Sequence, residues 1–307
     1  MEPTPAAGVP EAGGHEPVLL AEVLRWLTPV PPATWIVDGT VGLGGHAAAL
    51  LEHTTDTRLL GLDRDPAALA LAARGLARYG SRVSLRHADF RDLADEARAS
   101  GVDAAHAILF DLGLSSYQLV HGGRGFSFQV DERLDMRFDP DQPVTAAELV
   151  NRAPEPELAR LLAAYGEEPA ARRIARRLVA ARARRPITST RQLAELVTAA
   201  IPPHRRPRRI HPATRTFQAL RIAVNDELGS LEAALPQAAH LLAPRGRFGV
   251  IAFHSLEDRL VKQAFRAFGR TTAWRVATPK PLRPGLAEVR ENPRARGARL
   301  RVLERSG

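Results

Sequence analysis

The sequence predicts an α/β protein, a doubly wound Rossmann-like parallel sheet interrupted by an inserted all-helical subdomain. Three observations carry this. Short apolar runs alternate with helix-like segments from Trp35 to Asp111; the alternation then gives way to purely helical periodicity; and strand-like runs return from Arg247 onward.

Taken in order, Met1–Gly14 is rich in Pro, Ala, Gly and Glu and reads as a disordered tail. Trp35-Ile-Val-Asp38 is a strand that stops at Gly39 and Gly42, and His46–Leu51 continues as helix. Arg58–Asp63 is the next strand, followed by Asp65-Pro66, a cap with Pro in the first turn, and an Ala/Leu-rich helix reaching Tyr79. Val83–Ala88 and Ala107–Phe110 repeat the strand pattern and end beside Asp89 and Asp111. Strands alternating with helices predict parallel pairing with right-handed crossovers. Helical periodicity then fills Val144–Arg152, Glu155–Tyr165, Pro169–Arg185 and Thr190–Ile201, bounded by Pro154, Gly166, Pro186, Pro202 and Pro203. Arg247–Phe253 resumes the sheet, and Trp274–Thr278 with Arg299–Glu304 reads as a closing antiparallel pair. The division expected is 15–118 and 222–307 for the sheet core and 119–221 for the helical insert.

Composition narrows the function classes. No run approaches the roughly 20 apolar residues of a membrane helix, and the first residues lack a basic-then-apolar leader pattern, so a soluble, cytoplasmic protein with no membrane partner is expected. Cys is absent, which excludes disulfides, Cys-ligated metals and every thiolate mechanism; no metal site is expected. The formal charge of +9 is unevenly spread: residues 1–150 carry −9, residues 151–221 carry +11 and residues 222–307 carry +7. Positive charge concentrated on the insert favours a polyanionic partner, with a merely solvated basic face as the alternative.

The segment Asp38-Gly-Thr-Val-Gly-Leu-Gly-Gly-His46 follows a strand and opens a helix, where glycines let backbone approach a ligand and aim helix N–H groups at it. Asp63 lies about 20 residues on, at a strand end where a carboxylate accepts ribose hydroxyls. Asp89 and Asp111 follow at the next two strand ends. Nicotinamide dinucleotides and S-adenosylmethionine both use this geometry. The G-x-G-x-x-G fingerprint is absent in its required register, and four acids repel a diphosphate but suit a sulfonium cation and an amino group. The acids therefore favour S-adenosylmethionine; any one of them taken alone is equally a cap or turn former.

The blocks His15-Glu-Pro-Val-Leu-Leu20, Asp38–His46, Leu62-Asp-Arg-Asp-Pro66, Asp111-Leu-Gly-Leu-Ser-Ser116, Arg124-Gly-Phe-Ser-Phe128 and Leu134-Asp-Met-Arg137 resemble the bacterial small-subunit ribosomal RNA (cytosine-N4)-methyltransferase family. So do Tyr165-Gly-Glu-Glu168, His211–Gln218, Phe253–Arg259 and Glu291–Arg296, all in family order from about Gly14 to Glu304. The resemblance implies a Rossmann-like S-adenosylmethionine-dependent methyltransferase fold and methylation of N4 of cytosine 1402 in the decoding region of 16S rRNA, in the small ribosomal subunit. It puts cofactor contacts on Gly44, Gly45, His46, Asp63, Phe90, Asp111 and Gln118. Tyr117 and Val120 stand where the family usually has Pro and Asp, which leaves the shape of that loop open. The sequence does not fix the oligomeric state; a homodimer is one expectation.

The missing Cys bears on chemistry, because methylation at carbon 5 of cytosine needs a thiolate that adds to the ring. The exocyclic N4 attacks directly, and the protein need only align the groups and accept a hydrogen bond from the amine. Asp111 is the expected acceptor, with binding of its own turn as the structural alternative. His254, after the fifth strand, is a second candidate facing the same crevice. His46 reads as a cap beside the cofactor rather than a base. Phe126 or Phe128 is expected either to stack on an extruded base or to lie in the core. Arg172, Arg173, Arg176 and Arg177 recur on one helix face, with Arg182, Arg184 and Arg185 behind them and Arg205, Arg206, Arg208 and Arg209 in a Pro-broken loop, a pattern suited to phosphates. A nicotinamide-dependent oxidoreductase would explain only the fold, and a non-catalytic RNA-binding protein only the charge.

Overall fold

The computed structural model describes residues 17–29, 34–120 and 123–307. The tail expected at 1–14, the start of the block at His15, and the side chain of Val120 lie outside the described residues, whereas Tyr117 is half-buried. The chain opens on α1 (Leu20–Leu27), then runs β1 (Trp35–Asp38), α2 (Gly45–Glu52), β2 (Arg58–Asp63), α3 (Pro66–Leu76), β3 (Val83–His87), α4 (Leu93–Ala99) and β4 (Ala105–Asp111). After the insert come β5 (Leu242–Ala252), β6 (Trp274–Val276) and β7 (Arg299–Arg305). The sheet order is β3-β2-β1-β4-β5-β7-β6; β1 to β5 pair in parallel and β7 runs antiparallel to both neighbours.

The central strands are apolar without interruption because helices cover both faces. Ile36, Leu59, Leu109 and Ile251 point into one core, with Val23 of α1, Leu50 of α2 and Leu76 of α3. Their neighbours Val37, Leu60, Ile108 and Val250 point into the other, with Leu93 of α4 and Phe265. β5 begins five residues before the expected Arg247. The strand absorbs Pro244, Arg245 and Gly246 through a register shift against β4, with Arg245 at φ 61°.

The insert follows β4 as α5 (Ser116–Val120), α6 (Ala146–Arg152), α7 (Glu155–Gly166), α8 (Ala171–Arg182), α9 (Thr190–Ala200) and α10 (Thr214–Asn225). Thr145 and Glu148 form a reciprocal cap on α6, and Ser189 caps α9. These helices share a core of their own, including Leu134, Met136, Leu162, Ile174, Leu178 and Leu220. Two expected bounds move. α8 ends at Arg182, leaving Arg184 and Arg185 in the turn beyond, and α10 runs unbroken through residue 221. Asp226 at φ 47° then turns the chain directly into α11 (Glu227–Leu241) on the sheet. α12 (Ser255–Phe268) and α13 (Leu286–Glu291) complete the fold.

Candidate active site

A cavity of about 210 Å³ opens at the carboxyl edge of β1, β2 and β4. Of the residues expected to hold a cofactor, Gly45, His46, Asp63, Phe90, Asp111 and Gln118 line it. Gly44 does not. It is the N-cap of α2 at φ 84°, a left-handed conformation that a side chain strains, and a Cβ there would press on Leu76 at 3.1 Å. His46, expected as the cap, lies inside the first turn instead. Gly39 permits closer packing still, since a Cβ there would fall 2.3 Å from the Phe110 ring. The turn therefore brings main chain and the N–H groups of α2 to the cavity wall.

The four strand-end acids separate into distinct roles. The Asp63 carboxylate accepts from Gly42 N–H at 2.8 Å and Asp65 N–H at 2.9 Å, fixing the glycine turn to β2. Burial raises its pKa to about 6 against those two hydrogen bonds. Asp38 is 2% exposed, accepts from Thr40 N–H at 3.1 Å, and is pushed up to about 7 by burial, with His46 pulling the other way. Asp89 accepts from Arg91 N–H at 3.0 Å and from the Ser230 hydroxyl at 2.8 Å, so it is a cap and a tie to α11. Asp111 differs: its N–H donates to Thr40 Oγ1 at 2.6 Å, Oδ2 lies 3.5 Å from His46 Nε2, and Oδ1 is buried without a hydrogen-bond partner.

Gln118 lines the cavity but is tied down. Its Nε2 donates to Asp65 Oδ2 at 2.9 Å and its Oε1 accepts from Ser115 N–H at 3.0 Å. The same Asp65 oxygen pairs with Arg124, while Oδ1 caps α3 through Ala67 N–H. Asp65, 1% exposed, thus joins the sheet edge to the insert. Phe90 packs on Phe110 with ring centroids 5.0 Å apart and also lines the cavity.

His254 does not line the cavity. It caps α12, with Nδ1 accepting from Glu257 N–H at 3.4 Å and Nε2 3.0 Å from Glu257 Oε1. Glu257 does reach the wall; burial opposes its charge, but His254 and Arg221 outweigh burial and hold its pKa below the ordinary range. Glu227, bound twice by Arg221 at 2.7 and 2.8 Å, lies beside it. Glu227, His254 and Glu257 bring metal-ligand atom types within 4.8 Å of one another. Arg221 and two backbone N–H groups, from Phe253 and His254, already engage the two carboxylates, which describes an ion-pair network.

Phe126 and Phe128 take the core alternative: Phe126 stacks on Phe138 at 5.4 Å, and Phe128 on His211 at 4.5 Å. Phe138 itself lines the cavity, as do Phe253 and the exposed Arg294. Residue pattern alone marks neither Phe138 nor Phe253 as a site residue. Phe138 follows the Leu134–Arg137 block, and its N–H donates to Asn225 Oδ1 at 2.8 Å, a contact across the insert that periodicity does not encode.

With this geometry in view, the comparisons with known proteins agree with one another. The sequence model of the MraW methylase family matches residues 12–306. Among similar curated proteins, three named ribosomal RNA small subunit methyltransferase H come from Thermomicrobium roseum, Acidothermus cellulolyticus and Heliobacterium modesticaldum. The first is 51% identical, covering 95% of this chain and 93% of the relative. The second is 49% identical, covering 99% and 98%, and the third 47% identical, covering 95% and 98%. The chain belongs to the MraW methylase family, and its cofactor is S-adenosylmethionine.

Proposed function

We propose that this chain methylates the exocyclic N4 of a cytosine in small-subunit ribosomal RNA, cytosine 1402 of the decoding region by the family resemblance. One observation carries the choice of N4: a pocket carboxylate, Asp111, has an unpartnered oxygen, in a chain with no Cys for the carbon-5 route.

The pocket's groups suit S-adenosylmethionine. The N–H groups of α2 suit a carboxylate, Asp63 suits ribose hydroxyls and the Phe90 face suits a flat base. When bound, the cofactor supplies an electrophilic methyl group on a sulfonium. The chain's part is alignment and proton management. Asp111 Oδ1 accepts a hydrogen bond from N4–H, which orients the amine lone pair and stabilises the positive charge that develops on nitrogen. Leu112 and Phe253 supply apolar wall that keeps water from competing. Asp38 and His254 fit supporting roles, the first under the glycine turn and the second in holding Glu257.

The insert, residues 119–221, is read as the RNA-gripping part. Arg172, Arg173, Arg176 and Arg177 are all exposed on α8 while Ile174, Ala175 and Leu178 between them are buried. Such a face suits a phosphate backbone. A small-subunit RNA substrate is consistent with a cytoplasmic protein. The test is transfer of labelled methyl from S-adenosylmethionine to small subunits lacking the modification, followed by nucleoside mapping. N4-methylcytidine at the decoding site is expected; 5-methylcytidine, or label on another base, would overturn the assignment.

A further inference from the structure

Among the described buried residues lining the cavity, His46 is the one whose side-chain polar atoms all lack hydrogen-bond partners. It is 6% exposed, so water does not supply them. His46 is buried on α2 beside Ala47 and Leu50, and its imidazole acts electrostatically on Asp38 as well as standing beside Asp111. Its Nε2 lies 3.5 Å from Asp111 Oδ2, just beyond hydrogen-bond length, and the other Asp111 oxygen is the buried, unpartnered Oδ1. Catalytic contacts of this kind are commonly long before substrate binds and tighten in the complex.

We propose that His46 is the positioning residue for Asp111: its Nε2–H donates to Oδ2 and so holds Oδ1 toward the substrate amine as the proton acceptor. This rests on reading Asp111 as the acceptor for N4. The imidazole acts through the carboxylate and does not touch the base. In the step itself the N4 lone pair forms the new bond to the methyl group, whose former bonding pair stays on sulfur. An N4–H proton passes to Oδ1, leaving its bonding pair on nitrogen, and is later lost to solvent. A donor on Oδ2 fixes the orientation of the carboxylate, so losing it leaves Oδ1 poorly aimed at the substrate amine. The other charged groups of the neighbourhood are Asp38 on β1, Asp63 and Arg64 at the end of β2, Glu227 on α11, Glu257 on α12 and Arg294. All remain in place when His46 alone is changed.

The experiment compares His46→Ala with His46→Gln, whose amide N–H reaches the position of Nε2. Three quantities are read: S-adenosylmethionine affinity by calorimetry, KM for the RNA substrate, and kcat. In His46→Ala kcat should fall about tenfold or more while KM for the RNA stays near the wild-type value. His46→Gln should recover most of the lost turnover, and in His46→Ala the loss of kcat should exceed any rise in the cofactor Kd. If His46→Ala does not fold, His46→Asn, too short to reach Oδ2, replaces it. A kcat unchanged in the folded His46→Ala variant, a failure of Gln to rescue, or a loss of cofactor affinity equal to the loss of turnover would overturn the proposal. If Asp111→Asn leaves turnover intact, the prior reading of Asp111 falls; if that variant is impaired while His46→Gln and His46→Ala behave as wild type, only the coupling falls.

Discussion

The sheet edge and the helical insert treat charge in opposite ways. At the edge, acids are held out of water with little compensation: Asp38 and Asp63 have pKa values raised to about 7 and about 6, and Asp111 keeps an unengaged oxygen. In the insert, arginines crowd an exposed face of α8; among the described residues only Arg176 of the four finds an acid, Glu155 at 3.7 Å across an exposed pair. Burying an acid opposes folding, so its presence points to a ligand. Exposed arginines cost the fold almost nothing, and their meaning depends on a partner. A wide hollow between α7 and α8, lined by Arg160, Arg172, Arg173 and Arg176 with Glu155 and Glu168, belongs to this second kind of surface.

The largest effect expected on this contrast is on turnover. Asp111→Asn keeps the shape and removes the charge, and kcat should fall by about 10²- to 10⁴-fold, well beyond any loss of cofactor affinity. Equal losses in both would make Asp111 a cofactor ligand only.

The joint between the two regions comes next. Asp65→Ala leaves Arg124 without its counter-ion and Gln118 without its acceptor, and removal of one partner from such a buried pair costs about 3–5 kcal/mol. Chemical denaturation reads this directly. A variant as stable as wild type would show that the insert docks without Asp65.

Asp63→Asn should weaken S-adenosylmethionine binding by about 1.5–3 kcal/mol, the value of a hydrogen bond to a charged group. Calorimetry on the folded variant decides it, and an unchanged Kd removes Asp63 from the ribose site.

The raised Asp38 pKa makes a smaller, signed prediction. A carboxyl whose folded-state pKa lies above its ordinary 3.8 favours the folded chain at low pH, and that contribution is lost as pH rises through about 7. Asp38→Asn should therefore gain in melting temperature relative to wild type at pH 8 compared with pH 5, by a few degrees. A gap that does not change with pH would mean the Asp38 carboxyl titrates normally.

The smallest effect tests the other surface. Changing Arg172, Arg173, Arg176 and Arg177 to Gln should leave cofactor affinity alone and reduce the slope of log K against log salt for RNA binding by about 0.7–0.9 per lost phosphate contact. An unaltered slope would make α8 a solvated face and shift attention to Arg294, Arg296 and Arg299.

Much of the pocket was legible in the chain because its parts are local. A strand, a glycine turn and a helix lie within a few residues of one another, so Trp35–Asp38, Gly39–Gly45 and the acids at Asp63 and Asp111 follow from period and turn chemistry. The same local logic started β5 at Arg247, five residues late, because the strand absorbs Pro244 and Gly246, and the charge boundary near Arg221 falls within α10. Arg221, inside α10, pairs with Glu227 on the far side of the Asp226 turn.

The sequence by itself determined the alternating α/β plan, the glycine turn with its row of strand-end acids, the exclusion of thiolate chemistry and the family resemblance, since each rests on residue types close together or on simple presence and absence. Only the tertiary structure decided which acids have free valence. Asp89 is engaged by Ser230 and Asp65 by Arg124 and Gln118, partners 141, 59 and 53 residues away, whereas Asp111 retains an open oxygen. It also decided that Phe138, rather than Phe126 or Phe128, faces the cavity, and that His46 stands beside Asp111. The physical reason is that hydrogen-bond satisfaction and burial are properties of neighbours in space, and for these residues the neighbours come from distant stretches of chain that no periodicity connects.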